Sequence, residues 1–291
     1  MVKRHLFRAA FVNPTMKRIA PACCAFLFAG FVPASGAGEL AKSFAAGGSN
    51  VVAVYSDVAR DYVRARLPDG SLQPETYAFG EGGFIPGFMP DATIDRLDFK
   101  AVAHAIAASL AGRKYLPSED PAATRLLVMV YWGTTSGFRD MFPISVSLFQ
   151  YDAFSLMQWR MRNTIDFHNA GILGYNADGL VGTDEGNWLQ TTALRHKVDD
   201  LFEDVERSRY FVVLMAYDFQ MMWKQKQPKL LWVTRLSIGQ LRNDFGQELP
   251  TMLRDASKYF GRRSHGLIRD VVPEGRVDVG EPKSLGAEPE K

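Results

Sequence analysis

Two hydrophobic periodicities alternate along this chain and predict the order of its elements. Residues 125–132, Arg-Leu-Leu-Val-Met-Val-Tyr-Trp, are short and apolar on both faces, as expected of a central strand covered on both sides. Before it the period lengthens, with Val102, Ile106, Ser109 and Leu110 on one face of a helix running from Arg96 to about Ala111. Asp95 is the expected N-cap, Asp98 faces the positive end of the dipole, and Gly112 supplies the stop. Upstream, Val51 to Tyr55 is rich in β-formers but runs into mixed signals over 56–66, which leaves strand and helix both open. Pro68-Asp69-Gly70-Ser71 is turn chemistry separating two extended stretches, 62–67 and 75–79, a candidate hairpin; the Gly- and Pro-rich residues 80–90 predict a loop.

The pattern from about 140 to 207 reads as a helical insertion between core elements. A helix is expected over 146–161, a Gly- and Asp-rich loop over 171–187, and a clearer helix over 189–207. In that last helix Leu194, Val198, Leu201, Phe202 and Val205 form the apolar face, and Asp199, Asp200, Glu203, Asp204 and Glu206 are expected to face solvent. A strand from Tyr210 to about Met222, a basic turn over 224–229 and a strand from Leu230 to Ile238 predict an antiparallel hairpin. A final helix, with Pro250 in its first turn and Gly261 at its end, buries Leu249, Met252, Leu253, Ala256, Tyr259 and Phe260. The expected architecture is one α/β (α+β) sandwich over residues 51–270, a mixed sheet with helices packed on it, and residues 271–291 read as a disordered tail.

Composition changes this picture mainly at the N-terminus. With 291 residues, 47% hydrophobic and 23% charged, the chain is long enough for a sizeable core and unlike a collagen, coiled-coil or disordered sequence. Met16-Lys17-Arg18, an apolar run from Ile19 to Val32, and small residues at Ser35 and Ala37 give residues 1–37 the form of a signal peptide; a start at Met16 is the alternative to Met1. Residues 38–50 then form a flexible lead-in, and export to the periplasm or cell exterior, with or without membrane association, is expected. The two cysteines, Cys23 and Cys24, fall inside the signal; Pro21 before them argues against lipidation and for small apolar residues of the signal core. The formal net charge of +2 also belongs to that segment. Its five basic residues are accompanied by no acidic ones, so from Gly38 on the chain carries 29 basic against 32 acidic residues, a net of −3, and no cysteine. No transmembrane helix is expected beyond the signal.

Candidate chemistry is sparse. The loop Gly133-Thr134-Thr135-Ser136-Gly137 leaves the central strand at its C-terminal end, where open α/β sheets tend to bind ligands; Thr134, Thr135, Ser136 and the nearby Arg139 are the candidate ligand contacts. It lacks the Lys-Ser/Thr pair of a phosphate loop, so a polar turn is the competing reading. Residues 174–185 approach an EF-hand spacing through Asn176, Asp178, Gly179 and Glu185, but Gly174 and Gly182 replace two ligands, and no metal is expected. His104, His168, His196 and His265 are scattered without metal spacing, and no nucleophile elbow is present. The basic residues Arg254, Lys258, Arg262, Arg263, His265 and Arg269 could meet a polyanion or anionic lipid, but the last-turn members are read as complementing a helix dipole and no nucleic acid is expected; of Trp132, Trp159, Trp188, Trp223 and Trp232, most are read as core rather than a sugar platform.

Thr76-Tyr77-Ala78-Phe79, the helix over 94–110, Tyr115-Leu116-Pro117 and the strand over 126–133 together resemble a group of bacterial envelope α/β proteins, often lipoproteins, of unknown function. The chain departs from them in lacking a lipobox and in its long insertion. The resemblance implies an exported α/β domain and transfers no functional residue. The leading expectation is a non-enzymatic module binding an envelope protein or a cell-wall component, without cofactor. The alternatives are a hydrolase-like enzyme in which Asp140, Asp166 and His168 converge, and a calcium-stabilised module.

Overall fold

Seven strands form one mixed sheet in the computed structural model, which describes residues 51–141, 153–175 and 201–271. They are β1 (Val51–Val58), β2 (Glu75–Ile85), β3 (Tyr115–Pro117), β4 (Leu126–Thr134), β5 (Arg209–Asp218), β6 (Leu230–Gly239) and β7 (Ile268–Val271), in the spatial order β3-β2-β4-β5-β6-β1-β7. β2 runs parallel to β3 and β4, and every other neighbouring pair is antiparallel. The helices are α1 (Ala92–Asp95), α2 (Phe99–Ala111), α3 (Phe138–Met141), α4 (Ala153–Leu173), α5 (201–206), α6 (Phe219–Gln225) and α7 (Phe245–Ser257). This is the expected α/β class, with the β5–β6 hairpin antiparallel as read.

Strand alternation divides the core between two faces. On one, Val52, Val54, Val128, Val130, Trp132, Val212 and Trp232 pack against Val102, Ile106 and Leu110 of α2 and Leu249, Met252 and Leu253 of α7. On the other, Ala53, Tyr55, Phe211, Val213 and Val233 meet Ala170 and Leu173 of α4 and Leu201 and Val205 of α5.

Several local expectations are corrected. The predicted first helix starts at Phe99 rather than Arg96: Asp98, in extended conformation with its carboxylate accepting from the Ala101 N–H at 2.8 Å, caps α2 in place of Asp95, and a short helix not expected, α1, capped by Asp91, precedes it. Residues 62–67 do not pair with 75–79 as expected; the chain folds back only as far as 71–73, around the isolated Arg66–Leu72 bridge, while 75–79 pair with β3 and β4. Residues 80–85, expected as loop, continue β2. Gly80 and Gly82 lie where a Cβ would strike the Met129 sulfur and the Tyr131 ring, so these glycines make room for bulky neighbours instead of marking a turn. Asp218 ends β5 earlier than expected by capping α6, and Lys226, in left-handed conformation, closes that helix. Pro250 lies in the second turn of α7, not the first, and Tyr259 and Phe260 pack just beyond the helix end. Residues 268–271, partly assigned to a tail, pair with β1 as an edge strand. In the insertion the helix extends to Leu173, beyond its expected end at 161. Most of the expected 171–187 loop, the near-EF-hand residues from Asn176 on, the helix positions before Leu201 and the tail after Val271 lie outside the described residues.

Candidate functional site

The C-terminal ends of β4 and β6 and the start of β5 meet at one end of the sheet, and the candidate loop leaves β4 there. Its threonines are turned into the structure. The Arg209 N–H donates to Thr135 Oγ1 at 2.9 Å, the Thr135 N–H donates to the Arg209 carbonyl at 2.9 Å, and the Ser136 carbonyl accepts from Asn169 Nδ2 at 3.0 Å. Thr134 and Thr135 are buried, Thr134 beneath Gly87. These residues fasten the loop to β5 and α4, which is the polar-turn reading, whereas Arg139 on α3 remains half-exposed and lines the hollows on either side of it.

The first hollow is a cleft of about 510 Å³. The chain leaving β2 passes over Thr134 at Gly87 and delivers Asp91 to the start of β5. There Asp91 Oδ1 accepts from the Thr93 N–H at 2.9 Å and the Thr93 hydroxyl at 2.8 Å, and Oδ2 accepts from the Tyr210 hydroxyl and from Gln240 Nε2 at 2.8 Å. Burial raises the Asp91 carboxyl, but the bonds from Tyr210, Gln240 and Thr93 outweigh it and hold the group below the ordinary 3.8. Burial and the Asp91 carboxylate in turn push the Tyr210 hydroxyl well above its ordinary 10.0. Over this polar floor stand apolar lips: Phe88, Met89 and Leu241 are 59%, 65% and 51% exposed, and Arg242, in left-handed conformation at φ 67°, rises beside them.

The second hollow, about 490 Å³, is lined by Arg139, Arg162, Phe202, Glu203 and Glu206. Glu206 is fully buried, and its two carboxylate oxygens pair with Arg139 and Arg162. Asp166 lies 3.7 Å from Arg162; burial raises its pKa, opposed by Arg162 and Arg139. Deeper, Asp204 pairs with Arg209 at 2.6 Å and with Arg269 at 3.2 Å, and accepts from the Tyr175 hydroxyl at 2.9 Å. The acidic face expected in solvent is therefore corrected: Asp204 and Glu206 are interior anions, each neutralised by arginines, while Phe202, expected in the core, is exposed.

The remaining candidates separate. Asp140 accepts from the Ser208 N–H at 2.5 Å, Asp166 faces Arg162, and His168 is exposed on α4. Among the described residues no His, Cys, Asp and Glu side chains gather as a metal-ligand set, and no helix is long and apolar enough to cross a membrane. In the basic cluster, Arg254 pairs with Asp255, Lys258 with Asp270 and Arg263 with Asp57, in keeping with a local structural role. Trp132 and Trp232 are core, whereas Trp223 is 42% exposed.

Asp91, Thr93, Tyr210 and Gln240 are absent from the sequence-derived candidates. Asp91 and Thr93 precede Tyr210 and Gln240 by more than a hundred residues, and the one local signal is the Asp91-x-Thr93 spacing of a helix cap. Replacing Asp91 by Ala removes the α1 cap and strands Tyr210 and Gln240, an expected loss of about 1–2 kcal/mol. Because the folded-state carboxyl is depressed, its contribution is present above the unfolded value and is lost as pH falls through the folded one. Thermal melts from about pH 7 to below the ordinary 3.8 check this: the gap between wild type and Asp91→Ala narrows on acidification.

No family model and no curated protein matches the chain. Among solved structures it is similar to a PDZ domain protein from Parabacteroides distasonis, at a TM-score of 0.39 and 9% identity over 76% of this chain and 39% of that one. The chain thus spans well under half the length of that protein.

Proposed function

We propose that the protein is an exported, non-enzymatic binding module of the cell envelope, and that the cleft at the end of β4, β5 and β6 receives an envelope protein or a cell-wall component. The observation that carries this reading is the construction of the cleft. Three large exposed apolar side chains, Phe88, Met89 and Leu241, surround a floor whose polar groups are already oriented by one another. Exposed apolar lips around fixed hydrogen-bonding groups are how binding clefts are built. Asp91, with four hydrogen bonds, and Tyr210, held protonated, serve as fixed partners rather than proton carriers. The basic stretch, apolar run and small residues of 1–37 support delivery to the envelope.

A photo-crosslinking amino acid at Phe88 or Leu241, compared with one at Val63 in cells, tests both parts. Val63 is 84% exposed and lies beyond the opposite end of β1, so it reports chance encounters. Expected is a mature chain starting at Gly38 in the envelope fraction, with discrete adducts at the two cleft positions and none at Val63. A chain retaining Met1 in the cytoplasm, or cleft adducts no stronger than those at Val63, overturns the reading.

A further inference from the structure

Beyond the cleft, we infer that the outer edge of β2 between Phe79 and Phe84 is a docking site for an extended segment of a partner protein, which adds as a further strand beside β2. β3 pairs only with Glu75–Tyr77, and among the described residues no strand flanks the rest of β2 on that side. The hydrogen bonds at its start fix which peptide groups point outward. The Glu75 N–H donates to the Lys114 carbonyl and the Tyr77 carbonyl accepts from the Ser118 N–H, whereas the Thr76 carbonyl, on the β4 side, accepts from the Arg125 N–H. Alternation then turns the backbone groups of Phe79 and Glu81 outward. The bulge between Glu81 and Gly83 shifts the register by one residue, so that Phe84 is the next outward position. Glu81 and Phe84 are exposed, as an open edge requires.

An edge that presents alternate N–H and C=O groups is matched by an extended peptide. The side chains of the outward residues select it further. Phe79 packs against the α2-side core beside Tyr77, and Phe84 contacts Trp132 on the same face, which places Glu81 between two aromatic residues on one side of the strand. A segment with a basic residue flanked at every second position by apolar ones complements that row, since opposite charges and apolar pairs are favoured across neighbouring strands. A second copy of this chain centred on Gly80 does not fit. In a two-fold antiparallel pairing centred on Gly80, residues 83–85 of one copy fall where Tyr115–Pro117 already lies against the other.

Hydrogen exchange on the full chain, read residue by residue, is the first test. The amides of Phe79, Glu81 and Phe84 should exchange freely while those of Ala78 and Gly80, bonded toward β4, are slow. Protection of all five in the isolated protein would show the edge already covered and overturn the inference, and protection that grows with protein concentration would assign it to self-association. The second test pans a phage-displayed dodecapeptide library on the immobilised protein. Selected peptides should show the apolar-basic-apolar alternation and slow exchange at the three amides. They should bind about tenfold more weakly to Glu81→Pro, which removes one outward donor and no inward one. Peptides that leave those amides unaltered, or that bind a folded Glu81→Pro equally well, would sink the proposal. If Glu81→Pro does not fold, Glu81→Lys replaces it and should reverse the preference from basic to acidic at the central position. Crosslinks at Phe88 and Leu241 are read independently, so either site can fail without the other.

Discussion

Asp204→Ala should lower stability by about 3–5 kcal/mol, the range expected when one partner of a buried ion pair is removed. The carboxylate pairs with both Arg209, whose side chain is 2% exposed, and Arg269, and it also accepts from the buried Tyr175 hydroxyl. Without it Arg209 keeps Ser237 and the Val51 carbonyl as neutral acceptors, at 3.1 and 2.7 Å, but its charge is uncompensated inside the sheet. Urea denaturation of Asp204→Ala beside the double variant Asp204→Leu with Arg209→Met measures this. The double variant should recover much of the loss, because a neutral apolar pair carries no buried charge. Removing the exposed Asp61–Lys229 pair should leave the unfolding midpoint unchanged. Equal midpoints for Asp204→Ala and wild type would mean that the triad is not formed in solution.

The second large effect is expected at Gly133. An added Cβ would stand 2.0 Å from the Ile85 carbonyl oxygen and 2.8 Å from its carbon, both backbone atoms of the neighbouring strand. No side-chain rotation relieves that clash, so β2 and β4 must part at their shared end, at an expected cost of about 3 kcal/mol. The chain running from that end carries Phe88, Met89 and Asp91, so Gly133→Ala should also open the cleft and abolish crosslinking from Phe88. Gly80→Ala is the control. Its nearest obstacle is the Met129 sulfur, the flexible end of a side chain, and the loss should be distinctly smaller. Melting temperatures of the two variants decide it; equal shifts would remove the distinction between backbone and side-chain obstruction.

What was legible in the sequence follows from how local each signal is. β4 and the β5–β6 pair announced themselves because both faces of those strands are apolar over consecutive residues. α2 was legible from one buried stripe, although the choice between Asp95 and Asp98 as its cap needed the actual backbone, since either aspartate precedes a run of helix formers. β2 was cut short because glycines that accommodate Met129 and Tyr131 are, as letters, the same glycines that make loops. The acidic stretch at 203–206 misled for a related reason. A carboxylate neutralised by arginines from distant segments reads in sequence like one facing water. Arg139, singled out by its position after a central strand, lines both hollows, whereas the Asp91, Tyr210 and Gln240 cluster carries no spacing of its own because it exists only once three separate segments have been brought together.

The place of β1 in the sheet has a consequence for how the chain is made. It comes first in chain order among the described strands, yet its two neighbours are β6 and β7, so Val51–Val58 meets its sheet partners only once residues 230–271 have followed. Pairings of such sequence separation form late and slowly. The end of the chain rather than its beginning thus decides when β1 is buried, and a polypeptide cut short before β6 would leave that apolar strand without its place in the sheet.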